Sequence, residues 1–285
     1  MAVYPSGTVR ILVGCAPCQQ FSRYARRRDR KHTQKWGLLE QFSRVVTDVR
    51  PEVVSMENVP ELMKDEAFRN FIEELEVLGY QTTYVNVFCP DYGIPQHRTR
   101  LVVLASLRGE ITLIPATHSP KNYKTVKQAI SKLEPLHCGQ VDANDPLHRA
   151  CHLSDLNMER MEASVPGGCW RDWPKHLVAK CHCEESGKTY PSVYGRMEWD
   201  LPSPTITTQF FGFGNGRFGH PEQNRAISLR EGSILQSFPK RYRFCPKGAE
   251  VPFSVLGRLI GNAVPVRLGE VVGRSIVNHI RETNG

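Results

Sequence analysis

Apolar residues in the first part of the chain recur at two periods. Arg10-Ile11-Leu12-Val13 is a short apolar run that reaches Gly14 and Cys15, which predicts a buried strand at about 10–14 ending in a loop. From about 34 to 49, Trp36, Leu38, Leu39, Phe42, Val45, Val46 and Val49 fall on one side of a helix. A second strand-like run at about 52–57 is followed by a helix carrying Phe68, Phe71, Ile72, Leu75 and Leu78 and stopped by Gly79. Tyr80 to Phe88 alternates as a strand does, and Leu101 to Ala105 is a continuous apolar strand. Alternating strands and helices at this spacing predict an α/β fold with a doubly wound, mostly parallel sheet. In such a sheet, function gathers at the carboxyl ends of the strands.

The pattern then changes. Beyond about Arg108 the chain is rich in His, Pro, Cys and Trp, with little periodicity. Regularity returns over Ala226 to Pro239, read as a helix stopped by proline. It continues at Gly261-Asn262-Ala263-Val264-Pro265, a turn that opens an amphipathic helix over Val266 to Arg281. The predicted organisation is a partial Rossmann-like layer over 1–107, a smaller irregular domain over 108–224, and a return to the first layer over 225–285.

Composition narrows the class. A hydrophobic content of 40% in 285 residues supports a real core. No run approaches the roughly 18 apolar residues that span a membrane. The N-terminus has neither the basic nor the apolar region of a signal peptide, so a cytoplasmic location is expected. The net charge is +8, and Arg23, Arg26, Arg27, Arg28, Arg30 and Lys31 cluster just after Cys18, where they suit contact with phosphates. The nine cysteines are expected to be reduced. Cys151, His152, Cys169, His176, Cys181, His182 and Cys183 fit no standard zinc finger, because one residue rather than two to four separates Cys181 from Cys183; no metal is expected.

Three segments carry chemistry. Cys18 follows the first strand, Glu57 ends the second, and Gln96-His97-Arg98-Thr99-Arg100 leads into Leu101. A nucleophile, a carboxylic acid and paired arginines, each at a strand end, make a site for covalent catalysis on a polar ring. Two other thiol chemistries compete. A phosphatase loop with arginine six residues after the cysteine is excluded by Tyr24. A C-x-x-C redox pair, Cys15 with Cys18, explains neither Glu57-Asn58-Val59 nor Gln96 to Arg100.

Taken together, these segments resemble the C5-cytosine-specific DNA methyltransferases of restriction–modification systems. Pro17-Cys18-Gln19 matches that family's catalytic loop and Glu57-Asn58-Val59 its ENV motif. Gln96, Arg98 and Arg100 match Q-x-R-x-R. Arg230-Glu231, Gln236 and Phe238-Pro239 match the R-E…Q-x-F-P segment, and Gly261 to Pro265 the last motif. The resemblance implies methyl transfer from S-adenosylmethionine to carbon 5 of cytosine in a specific sequence of double-stranded DNA. Cys18 would be the nucleophile, Glu57 the acid, and Arg98 and Arg100 the holders of the base carbonyl and the carboxylate; Arg100 has a structural alternative in an ion pair. The base would flip out of the duplex. Gln19, Ser22 and Arg23 on the catalytic loop are expected at the DNA, as are Arg171, Lys175, Arg196 and Arg217 in the irregular, target-recognition segment.

Pro17, Asn262 and Val264 match positions that border the cofactor. The family's glycine-rich cofactor motif precedes the catalytic strand, and the nine residues before Arg10 do not supply it. The expected explanation is a start at an internal methionine. The alternatives are a truncated product and one subunit of a split enzyme, which would need a complementing N-terminal methyltransferase subunit. A cognate restriction endonuclease is the other partner the resemblance implies. The competing function is that of a catalytically inactive DNA-binding remnant.

Overall fold

The structure is a computed structural model and describes residues 5, 7–15, 37–185, 187–246 and 248–284. In chain order its regular elements are β1 (Ile11–Gly14), α1 (Leu38–Val49), β2 (Val53–Asn58), α2 (Glu66–Val77), β3 (Gln81–Phe88), β4 (Gln96–His97) and β5 (Thr99–Ser106). They continue with α3 (Val126–Ile130), α4 (Asp155–Glu162), α5 (Lys180–Cys183), β6 (Ser203–Pro204), α6 (Leu229–Leu235), α7 (Phe253–Asn262) and α8 (Val266–Thr283). The chain divides into two compact units. The first comprises the described residues within Met1–Phe88, Thr99–Ala116 and Gly269–Gly285; the second comprises those within Cys89–Arg98 and Thr117–Leu268.

The first unit is an α/β layer. Its four strands lie in the order β1-β2-β5-β3. β1 pairs with β2 in parallel, Ile11 opposite Val53 and Gly14 opposite Met56. β5 runs antiparallel to both neighbours, with Asn58 opposite Leu101 and Val87 opposite Arg100. β1, β2 and β3 therefore point the same way and β5 alone is reversed. The connections explain this. A helix crosses over between β1 and β2 and between β2 and β3, bringing the chain back to the same end of the sheet. No such helix separates β3 from β5, so the chain returns in the opposite sense.

Alternation along each strand assigns the faces. Val54, Met56, Leu101, Val103 and Ala105 turn toward α1 and α2, where Leu39, Val46, Phe68, Phe71, Ile72 and Leu75 complete one core. Each of these side chains larger than Ala105 contributes about 1.5–3 kcal/mol on burial. Gly14 belongs to this face, and a Cβ there would overlap the Phe42 ring. Asp65 caps α2 by accepting from the Ala67 N–H at 3.0 Å. On the opposite face, Ser106 Oγ meets His279 Nε2 at 2.7 Å, which places the last helix there. β1 departs from the buried strand expected. At the edge of the described sheet, it leaves Ile11 and Val13 exposed and half-buries Leu12 and Gly14.

The second unit is built around Val126, Ile130, Met197, Ile206, Phe210, Phe218, Ile227, Leu229, Leu235, Leu256 and Ile260. A smaller cluster gathers Met161, Trp170, Trp173, Leu177 and Phe213. β4 and β6 pair in parallel, Gln96 opposite Ser203. α6 is shorter than the pattern suggests, because Ser228 and Glu231 form a capping box at its start and Ser237, just past its end, has φ of 60°. Gly261 lies against Thr207, where a Cβ would collide with the carbonyl oxygen.

The division differs from the expected 1–107, 108–224 and 225–285. Residues 89–98 and 225–268 go with the second unit. The physical reason is shared burial: Gln96 hydrogen-bonds at the end of α6, and Leu229, Leu256 and Phe210 occupy one core.

Candidate active site

In the first unit, the register brings three side chains to one face. Gly14 lies opposite Met56, so Cys15 comes level with Glu57 on the next strand. Glu57 lies opposite Val102, and Arg100 is two residues from Val102 on the same face of β5. That face is the one turned away from the α1–α2 core.

The contacts follow from this placement. Cys15 Sγ donates to Glu57 Oε2 at 2.9 Å. Arg100 Nε lies 2.8 Å from Glu57 Oε1, with the two side chains 15% and 13% exposed. An ion pair this shielded is screened by salt less than a surface pair. The Arg100 contact is one of charge, since among the described residues the buried Oε1 accepts no hydrogen bond. A second Arg100 donor, Nη1, binds the Thr99 carbonyl at 2.8 Å. Asn58 is buried, and its Oδ1 accepts from the Val59 N–H at 2.8 Å, shaping the turn into Pro60. The site thus has a carboxylate held from two neighbouring strands, one oxygen by a thiol hydrogen bond and the other by charge.

Cys18, Pro17, Gln19, Ser22 and Arg23 lie outside the described residues. Arg98 does not share the setting of Arg100. It belongs to the second unit, is 6% exposed, and donates from Nη1 to the Ile206 carbonyl at 3.1 Å and to Gln96 Oε1 at 3.4 Å. Arg98 is thus buried with one donor on a backbone carbonyl, where Arg100 lies beside the Glu57 carboxylate. Gln96 is the centre of that network. It donates to the Leu235 carbonyl and, at 2.9 Å, to Gln236 Oε1, and it accepts from the Ile206 N–H. Gln236 in turn donates to the carbonyls of Ile260 and Ala263. Asn262 is exposed at the end of α7 and Val264 is half-buried.

The expected DNA contacts divide. Arg171 is exposed, binds the Lys188 carbonyl at 2.9 Å and lies over the Trp170 ring at 5.3 Å. Lys175 is exposed as well. Arg217 is half-buried against the Gly168 carbonyl. Arg196 is 4% exposed, and its guanidinium is taken up by the carbonyls of Met161, Ser164, His220 and Gln223 and by Asn224. A DNA contact from Arg196 is therefore corrected to a structural role, since no donor is left for a base edge. Among the described residues no group of three or more His, Cys, Asp or Glu is placed to hold a metal ion. His182 instead stacks on Trp170, with ring centroids 4.4 Å apart.

Two features were not read from the sequence. One is the Cys15–Glu57 hydrogen bond, whose only sequence signal is the near-equal offset of each residue from its strand start. The other is the partner of Glu231. Arg230, its neighbour in the R-E motif, pairs with Asp145. Arg225 holds Glu231 through two hydrogen bonds of 2.7 Å each. Burial works to raise the Glu231 pKa, but the bonds and charge of Arg225 outweigh it and bring it down to about 2. His220, beside it, is lowered to about 4, mainly by burial, against the pull of Glu231.

The family model for C-5 cytosine-specific DNA methylases matches residues 3–278. The chain is 54% identical over 278 residues to the Type II methylase M.HgiDII of Herpetosiphon aurantiacus, covering 96% of this chain and 78% of that protein. It is 31% identical over 290 residues to the Type II methyltransferase M.Eco47II of Escherichia coli, covering 97% of this chain and 66% of that protein. Among solved structures, the Entamoeba histolytica methyltransferase EhMeth superposes with a TM-score of 0.58 at 14% identity, over 95% of this chain and 78% of its own. At that identity the likeness concerns the fold.

Proposed function

This chain belongs to the C-5 cytosine-specific DNA methylase family, and on that premise we propose that it methylates carbon 5 of a cytosine in a specific duplex DNA sequence, through a covalent Cys18 adduct on a flipped base. The observation that carries the site assignment is Glu57: a shielded carboxylate, held by Arg100 and Cys15, with Oε1 accepting no hydrogen bond among the described residues.

The chemistry needs these groups. Carbon 5 of cytosine is a poor nucleophile. The Cys18 thiolate forms a bond to carbon 6, and the ring electrons move to make carbon 5 an enamine carbon able to attack a methyl group. Addition leaves negative charge on the ring amide system. Glu57, carrying a proton at that stage, passes it to ring nitrogen 3 and accepts from the exocyclic amine. Arg100 keeps the carboxylate in place. Once carbon 5 carries the methyl group, its proton passes to solvent water, ring nitrogen 3 returns its proton to Glu57, and the electrons of the Cys18–carbon 6 bond go back to sulfur, which restores the thiolate and the aromatic ring.

S-adenosylmethionine would supply the electrophilic methyl group, its sulfonium sulfur leaving as a neutral thioether. The described residues expected to border it, Asn262 and Val264, offer one exposed amide and one half-buried aliphatic side chain. Those two side chains by themselves do not amount to a pocket for a nucleoside. Arg171 and Lys175 are exposed and suit phosphates or base edges. The type II relatives support a role in marking DNA against a cognate endonuclease. No helix among the described residues is long and apolar enough to cross a membrane.

The test is trapping on duplex DNA containing 5-fluorocytosine with S-adenosylmethionine present, where the fluorine at carbon 5 blocks the final elimination after methyl transfer. An adduct that survives denaturation should form with the parent chain and with Cys15→Ala, and should be lost in Cys18→Ala. Trapping that persists in Cys18→Ala and disappears in Cys15→Ala would overturn the assignment.

A further inference from the structure

We infer that Cys15 is a positioning residue for Glu57, acting as a thiol donor that fixes the carboxylate from the neighbouring strand. This rests on the assignment of Glu57 to the reaction made above.

Three observations carry it. The parallel register sets Cys15 level with Glu57, so the contact is built into the sheet and does not depend on a long loop. Cys15 Sγ reaches Oε2 at 2.9 Å, while Arg100 lies against Oε1 at 2.8 Å. The two oxygens are thereby held by different strands, and rotation about the last carbon–carbon bond of Glu57 would break both contacts. A free glutamate side chain spreads over many rotamers. Holding it in one orientation before the base arrives spares the cost of ordering it in the addition step. The Arg100 charge alone is non-directional; the thiol hydrogen bond supplies the direction.

The contact uses the thiol proton of Cys15, which lies between Sγ and Glu57 Oε2. A sulfur in that role serves as a donor and not as the attacking group, so the two cysteines of Cys15-Ala16-Pro17-Cys18 have separate tasks.

The experiment uses the full chain and a duplex carrying tritium at carbon 5 of the target cytosine. Addition of Cys18 at carbon 6, uptake of a solvent proton at carbon 5, and elimination of the thiolate with loss of the original hydrogen release tritium without any methyl donor. Cys15→Ala should lower the maximal exchange rate about 10-fold with little change in the DNA concentration at half rate. Cys15→Ser, which keeps a donor, should recover to within about threefold of the parent. In a Glu57→Gln background, Cys15→Ala should have no further effect, as expected of two residues acting through one contact. An equal loss in both backgrounds, or no rescue by serine, overturns the inference. No exchange by the parent chain would instead overturn the function proposed for the site. The positioning contact is then judged by infrared spectroscopy: the S–H stretching band that Cys15→Ala removes should shift in Glu57→Gln, and an unmoved band overturns it.

Discussion

Arg225 and Glu231 form a two-point ion pair, with both bonds at 2.7 Å and the side chains 0% and 1% exposed. Around it, Ser228 N–H donates to Glu231 at 2.6 Å, and His148 bonds Ser228 Oγ at 2.8 Å. The second unit is organised on this buried polar cluster as much as on its apolar core. Removing one partner leaves the other as an uncompensated buried charge, at a cost of about 3–5 kcal/mol. Arg225→Met alone should lower the thermal midpoint sharply. The double variant Arg225→Met, Glu231→Leu should recover much of the loss. Equal stability of single and double variants would contradict the pairing.

Acid should weaken this cluster in two steps. His220 is lowered from 6.5 to about 4 in the fold, so the unfolded chain binds the extra proton between those values and stability falls as the pH drops from 6.5 toward 4. Glu231 is lowered from 4.5 to about 2, and its contribution is lost as the pH drops from 4.5 toward 2. Denaturant midpoints measured against pH should fall throughout that window. A His220→Gln variant should flatten the upper part of the curve and leave the lower part.

Glu57→Gln keeps the shape of the side chain and removes the acid. Cytosine methylation should fall by about 10²-fold or more. The thermal midpoint should move by only a few degrees, because loss of one partly exposed ion pair is worth about 1 kcal/mol. Global unfolding of the variant would show that Glu57 is structural.

Arg171 and Arg196 should separate cleanly. Arg196→Ala strips donors from carbonyls it satisfies in a buried site, so the protein should be destabilised by several kcal/mol. Arg171→Ala should leave stability unchanged, weaken DNA binding and reduce the salt slope of affinity by about 1. Thermal melts paired with binding titrations at several salt concentrations read both.

Gly14→Ala should destabilise the first unit by roughly 1–3 kcal/mol, because the added methyl meets the Phe42 ring in a packed core. Phe42→Leu, made in the Gly14→Ala background, should restore part of the loss by opening space. A neutral Gly14→Ala would mean that α1 can shift away from β1 at little cost.

The sequence by itself determined the elements and the kinds of chemistry. Apolar periodicity marked β2, α2, β3 and β5 close to where they lie, because which face is buried is written locally into the order of side chains. Residue types marked Glu57 and Arg100 as functional candidates for the same reason: a carboxylate and an arginine at the ends of apolar strands have few bland uses. What a local pattern does not encode is which of several nearby polar groups finds which partner. Arg98 and Arg100 are two residues apart, yet one is spent on the Ile206 carbonyl and the other pairs with Glu57. Arg230 adjoins Glu231, yet the distance along the chain to its partner Asp145 is much longer, and Glu231 takes Arg225. Cys15 looked like half of a redox pair until the register of β1 on β2 set it beside a carboxylate 42 residues away. The reversed sense of β5 belongs here too, since strand direction is decided by how the chain returns to the sheet. Pairings of this kind are settled by long-range register and by the cost of burying a charge without a partner, and those arise only once the strands and cores have assembled.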